Sequence, residues 1–205
     1  MGKVIVDLSI SLDGFITGPN PRPGLGLGEG GQRLHDWMFP PSGSPTEKDR
    51  ELIEEWFKKL GAVVMGKRSF AVGEEPWGEN PPFHVPVFVL SHEAREKIIK
   101  QGGTTYTFVT DGIESLLAQA KAAAGDKDVC LHGASIAKLC LHAGLLDEIH
   151  LHLVPTLLGQ GTRLFDHLGT KQIELERMGV IESESVTHLR FRVIKEGILP
   201  GGGPM

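Results

Sequence analysis

Short apolar runs rich in β-branched and aromatic residues recur along this chain at 3–10, 62–65, 85–90, 105–109, 128–132 and 148–154, with helix-period segments between them. That alternation constrains the fold more than any other feature. Parallel strands in one sheet need a crossover of about a dozen residues, and a helix supplies it. The helical segments gather Leu52, Ile53, Trp56, Phe57 and Leu60 in one stripe, Ile113, Leu116, Leu117 and Ala120 in a second, and Ile136, Leu139, Cys140 and Ala143 in a third. The expectation is one α/β domain over residues 1–196, with a mainly parallel central sheet and helices on both faces. Runs at 173–180 and 187–195, joined by a polar connection at 181–186, predict a closing antiparallel hairpin. Gly and Pro (27 and 13 residues) concentrate at 18–31, 76–86 and 197–204, so these stretches read as loops and 197–205 as a flexible tail.

With 205 residues, 40% of them hydrophobic, the chain is long enough for a sizeable core. A net charge of -5 and no dense cluster of Lys and Arg argue against nucleic acid or an anionic membrane as partner. No apolar run approaches the ~18 residues of a membrane span. Asp7 interrupts the first apolar run before a signal-peptide core forms, so a cytoplasmic location is expected. Cys130 and Cys140 sit inside apolar stretches, as reduced core thiols do.

Several motifs suggest chemistry that their context does not support. Gly26, Gly28 and Gly31 satisfy G-x-G-x-x-G, yet they follow no strand directly and lie among prolines, which reads as a loop or lid. Gly133-Ala134-Ser135-Ile136-Ala137 lacks the second glycine of a nucleophile elbow; a helix N-terminus that binds phosphate through its amides suits it better than a hydrolase serine. His150 and His152 share a strand face, but no third ligand stands at a recognisable spacing, so no metal is expected. Trp37, Trp56 and Trp77 read as core or pocket wall.

Three strand ends are more informative. Val63-Val64-Met65-Gly66-Lys67-Arg68-Ser69-Phe70 is a buried strand that ends in Gly and then presents two cations and a hydroxyl, the outline of a phosphate site. Val87-Phe88-Val89-Leu90-Ser91-His92 repeats the pattern, with Ser91 a candidate N-cap for a helix up to Lys100. The other end, Ser11-Leu12-Asp13-Gly14-Phe15-Ile16, puts an acid beside a glycine after the first strand, either a turn or a group that orients substrate.

In order and spacing, Ser11 to Ile16, Val64 to Phe70, Val89-Leu90-Ser91, Gly133-Ala134-Ser135 and Leu146-Asp147-Glu148-Ile149-His150-Leu151-His152-Leu153-Val154-Pro155, with Leu158-Gly159-Gln160-Gly161-Thr162-Arg163-Leu164-Phe165, resemble the dihydrofolate reductase fold. The resemblance is closer to the reductase domain of the riboflavin-biosynthesis deaminase-reductase and its stand-alone relatives. It implies an NADPH-dependent reductase acting on a C=N or C=O of a small heterocyclic or sugar-linked molecule, and a homodimer. Gly66, Lys67, Arg68 and Ser69 would hold cofactor phosphates; Leu90, Ser91 and His92 would lie near the 2'-phosphate; His132, Gly133, Ala134, Ser135 and Ile136 would run along the pyrophosphate and nicotinamide. Asp13 would be the catalytic group and Gly14 a cofactor contact, with Trp37, Pro155, Leu158, Gly159 and Gly161 around the substrate. Three departures stand out. The carboxylate that grips the pterin in folate enzymes falls at Ile53, which argues against dihydrofolate reduction, and no zinc-binding deaminase segment is present. The Gly-Gly pair of the fourth segment is His132-Gly133 here, for which the resemblance predicts a cis bond. A non-catalytic nucleotide-binding or ligand-sensing module on the same fold is the competing expectation.

Overall fold

A computed structural model describes residues 2–170 and 172–195; the 197–205 tail expected from composition lies outside them. Strand β1 (Val4–Ser11) lies inside a nine-stranded sheet, its apolar residues buried on both sides, the pattern of a strand covered on both faces. The order is β10-β11-β8-β1-β7-β3-β4-β6-β5, where β3 is Leu60–Gly66, β4 Pro86–Leu90, β5 Ile98–Ile99, β6 Thr105–Val109, β7 Asp128–His132, β8 Glu148–Val154, β10 Leu175–Glu182 and β11 Thr187–Val193. The strands from β8 to β6 are parallel, while β11, β10 and β5 run against their neighbours. A small separate pair joins β2 (Phe15–Thr17) to β9 (Thr162–Arg163).

Helices α3 (Ile113–Ala124) and α4 (Ala134–His142) cover one face, packing Leu116, Ala120, Ile136 and Cys140 on Val6, Val64 and Leu131. Helices α1 (Glu47–Lys59) and α2 (Lys67–Trp77) cover the other, with Trp56 and Phe70 against Val63, Met65, Val89 and Cys130. Thr46 caps α1 by accepting from the Asp49 amide at 3.2 Å, and acids in its first turn and Lys58 and Lys59 in its last match the helix dipole. Burial raises the thiol of Cys140 to about 12 and that of Cys130 further, so both remain thiols.

Three expectations need correction. Residues 91–100 form no helix: Ser91 Oγ accepts from the Glu93 amide at 3.0 Å, and the chain then carries Arg95 over the Phe70 and Phe108 rings and pairs Ile98–Ile99 with β6. Tertiary contacts override the local capping signal there. The start of the 76–86 loop belongs to α2, whose last turn tolerates Pro76 and folds the Trp77 ring onto Gly73, where a Cβ would lie 2.3 Å from it. The His132-Gly133 bond is trans, the chain turning through Gly133 at φ 100° and ψ 151°. Strand β8 lies inside the sheet between β1 and β11, and β10 and β5 are its two edges.

Candidate functional site

Ligands in open α/β sheets bind beyond the carboxyl ends of the parallel strands, and the main cleft, of about 680 Å³, opens there. Two helices point their N-termini into it. α2 begins at Lys67 directly after β3, and α4 begins at Ala134 after β7 and Gly133. Their first amides have no partner within the helix and carry the positive end of its dipole. Gly133 is required where they meet: its φ of 100° strains any other residue, and a Cβ would lie 2.9 Å from Ser69 Oγ.

The cleft gathers most of the residues assigned to a cofactor. Gly66, Lys67, Arg68, Ser69, Leu90, Ser91, His92, His132, Gly133, Ala134, Ser135 and Ile136 all line it; Gly14 does not. Lys67 is engaged by Glu93, Nζ to Oε2 at 2.9 Å, whereas exposed Arg68 has no ion pair among the described residues. Residues of the 18–31 stretch form one wall, held in shape by the Gly18 amide on the Leu27 carbonyl (2.8 Å) and the Glu29 amide on the Pro19 carbonyl (2.8 Å).

The substrate residues do not converge on this cleft. Asp13 accepts from Ser11 Oγ at 2.6 Å and from the Leu158 and Gly159 amides at 3.1 and 2.7 Å. These bonds, Ser11 first, hold its carboxyl at about 2, so at neutral pH it is an ionised acceptor that already takes three hydrogen bonds. Its role in the structure is to tie the turn after β1 to the 158–163 loop, which Arg163 secures from the other side by donating to the Asp13 carbonyl at 2.7 Å and lying 4.3 Å over the Phe15 ring. Gly161 seats that loop, because a Cβ there would fall 1.9 Å from the Thr17 carbonyl oxygen. Leu158 packs with Ile53, Trp37 and Val186, and Pro155 borders a separate pocket of about 200 Å³. The expected outcome of Asp13→Ala is several-fold faster hydrogen exchange at the Leu158 and Gly159 amides. Unchanged exchange there would show that the loop does not depend on this carboxylate.

Trp37 stands one layer behind the cleft, buried, donating from Nε1 to Ser9 Oγ at 2.9 Å. Behind it runs a buried polar chain that sequence reasoning missed. His150 faces Glu148 through Nε2 (3.1 Å) and Asp7 through Nδ1 (3.2 Å); Asp7 meets His152 Nε2 at 2.8 Å; His152 and His188 share an Nδ1 to Nδ1 contact of 2.7 Å; His188 Nε2 meets Asp49 at 3.0 Å. Asp49 also accepts from Thr46 and Ser183 hydroxyls at 2.7 and 2.9 Å, and Lys3 bonds Glu148. Burial pushes the Asp7 carboxyl up, but His152 and His150 outweigh burial and hold it well below the usual carboxylate range. One of the two facing Nδ1 atoms must carry a proton and the other a lone pair. The two histidines that alternation placed on one face are thus occupied by Asp7, and among the described residues no three His, Cys, Asp or Glu are grouped to hold a metal. Asp49, one turn before Ile53, is a carboxylate on the first helix, but it is 1% exposed and its oxygens are occupied.

The sheet order, the two helix N-termini and the cleft define a dihydrofolate reductase-like α/β protein. The RibD C-terminal domain family matches residues 2–189, so the chain belongs to that family. It is 27% identical over 172 residues, 80% of each chain, to the uncharacterized protein YyaP of Bacillus subtilis (strain 168). Among solved structures, a putative riboflavin biosynthesis protein from Shewanella sp. PV-4 superposes with a TM-score of 0.70 at 22% identity, over 94% of this chain and 99% of that one. Dihydrofolate reductase from Enterococcus faecalis, complexed with NADP(H), superposes with a TM-score of 0.57 at 13% identity, over 95% and 98%. Among the described residues no helix is long and apolar enough to cross a membrane.

Proposed function

We propose that this protein is an NADPH-dependent reductase that delivers hydride to a C=O or C=N of a small heterocyclic or sugar-linked substrate, a reaction similar to the reduction of 5-amino-6-(5-phosphoribosylamino)uracil. The observation that carries this reading is the convergence of the α2 and α4 N-termini, with Arg68 beside them, on one cleft that continues to β1. Two sets of unpartnered amides and a guanidinium suit the pyrophosphate and the 2'-phosphate of NADPH, and the glycine at 133 keeps room for a close approach. NADPH would supply the hydride. The chain's own residues bind and orient: α2 and α4 amides hold phosphates, Arg68 forks onto the 2'-phosphate, and the 18–31 wall excludes water. A homodimer, extended from the family resemblance, would use the closing hairpin, whose strand β10 is an edge of the sheet.

A charge-assisted contact is worth ~1.5–3 kcal/mol, so Arg68→Ala should weaken NADPH at least ~10-fold and NADH much less, read by cofactor fluorescence. Equal losses for the two cofactors, or a native preference for NADH, would remove the 2'-phosphate assignment. The occupied Asp13 carboxylate and the apolar Ile53 favour a second reading, a module that binds the nucleotide without turnover. NADPH consumption with any acceptor from an aminopyrimidine, dihydropteridine and ketone panel decides for the reductase.

A further inference from the structure

The β1 end of the cleft holds an imidazole with no hydrogen-bond or ion-pair partner among the described residues. His35 closes the short 3-10 turn Gly31–His35 and lines the cleft together with Ser9, Thr17 and His132. Its ring lies 6.4 Å from that of Phe39, and neither ring nitrogen has a hydrogen-bond partner among the described residues, nor is either sealed from the cleft as His132 Nδ1 is. Thr17 Oγ1 and His132 Nδ1, from the same lining, are buried without partners. Polar groups in folded proteins are nearly always paired, and of these three side chains only His35 keeps its polar atoms open, so it is the one a ligand in the cleft can meet. The fixed cations of the lining stand elsewhere: Lys67 and Arg68 follow β3, two places from β1 in the sheet. Asp13 lies outside the lining.

We propose that His35 is a catalytic residue whose ring N–H donates a hydrogen bond to the heteroatom of the substrate C=O or C=N. This rests on the reductase reading above. The carbon gains the hydride and its π pair moves to the heteroatom, where the His35 N–H stabilises the gathering charge. The heteroatom then takes a proton from solvent water, leaving hydroxide to the buffer, and the ring ends the cycle neutral. Burial, joined by His132 and His152 and opposed by Asp36, lowers the ring to about 4, so it is an uncharged donor at neutral pH. Ser9, its hydroxyl oxygen fixed by Trp37, is the neighbouring polar group on β1.

The test uses the full-length protein with the acceptor panel above, in wild type, His35→Leu and His35→Gln, the last keeping an N–H donor of similar reach. NADPH affinity by fluorescence should stay within about threefold in both variants, while turnover falls about 100-fold or more in His35→Leu and less in His35→Gln. The ring signal of His35 in 15N-histidine spectra should stay neutral from pH 8 to 5 and shift when NADP+ and the reduced acceptor are added together. Full turnover in His35→Leu, or a spectrum that ignores the reduced acceptor, overturns the role of His35 and leaves the reductase standing. Loss of NADPH affinity in step with turnover in both variants makes His35 a cofactor wall and also overturns it. Failure of wild type to oxidise NADPH with any of the panel removes both readings. If His35→Leu does not fold, His35→Gln and the spectra decide alone.

Discussion

Replacing Asp7 with alanine should destabilise the fold by about 3–5 kcal/mol at neutral pH, the scale of a buried charged pair broken from one side. Asp7 is the only group between His150 and His152 in the polar chain, accepting from both, and all three side chains are 13–15% exposed. Its removal leaves two largely buried imidazoles without their anion and opens space beneath Trp37, whose ring lies 4.5 Å from His152. Against a total stability of about 5–15 kcal/mol for a domain, that loss is large. Asp7→Asn should cost less, because it keeps the volume and one acceptor while His150 can turn its proton toward Glu148. The measurement is urea unfolding, with a lower midpoint at unchanged slope. A loss under about 1 kcal/mol for Asp7→Ala would mean that the chain of imidazoles and carboxylates contributes no net stability.

The half of the site that is readable in the sequence is the half built from consecutive residues. Val64 to Phe70 and Asp128 to Ile136 each encode a strand, a glycine and a helix start in one stretch, so strand pattern and glycine position together place their amides at the cleft. The polar chain behind Trp37 draws on residues 7, 49, 150, 152 and 188, which only the pairing of β8 with β1 and β11 and the docking of α1 bring together. A trace of it was present: Asp7 and Ser9 are polar at alternate positions of a strand otherwise buried, and β8 carries His150 and His152 with the same period. Which partner each would meet depends on register, and register is not a local property. The surroundings of Asp13 are hidden for the same reason. Its place at a strand end is visible in the sequence, but the amides of Leu158 and Gly159 that occupy it arrive from 145 and 146 residues away. His35 lies beside a Gly-rich stretch that reads as loop, and its significance comes from what surrounds it and fails to pair with it.

Acidification from pH 6.5 to 4 should destabilise the protein well before carboxylates alone would. The folded state holds His35 at about 4 against 6.5 unfolded, chiefly through burial. Between those values the unfolded chain binds a proton that the folded chain refuses, so stability is full above about 6.5 and falls as pH drops toward 4. The whole interval corresponds to about 3 kcal/mol for this one ring. His132 is lowered by burial, and His188 by burial and then His152 against the opposing pull of Asp49 and Asp7, so both add to the same limb. Asp7 acts in the next window down: its folded value is depressed, so its contribution is present above the ordinary carboxylate range near 4 and is lost below it. Unfolding midpoints measured from pH 8 to 4 should therefore begin to fall near 6.5. His35→Gln, which has no proton to refuse, should show a slope shallower by up to about one proton across that window. A wild-type curve level down to pH 5 would mean that these rings charge freely in the folded state, and the uncharged donor placed at the β1 end of the cleft would lose its electrostatic basis.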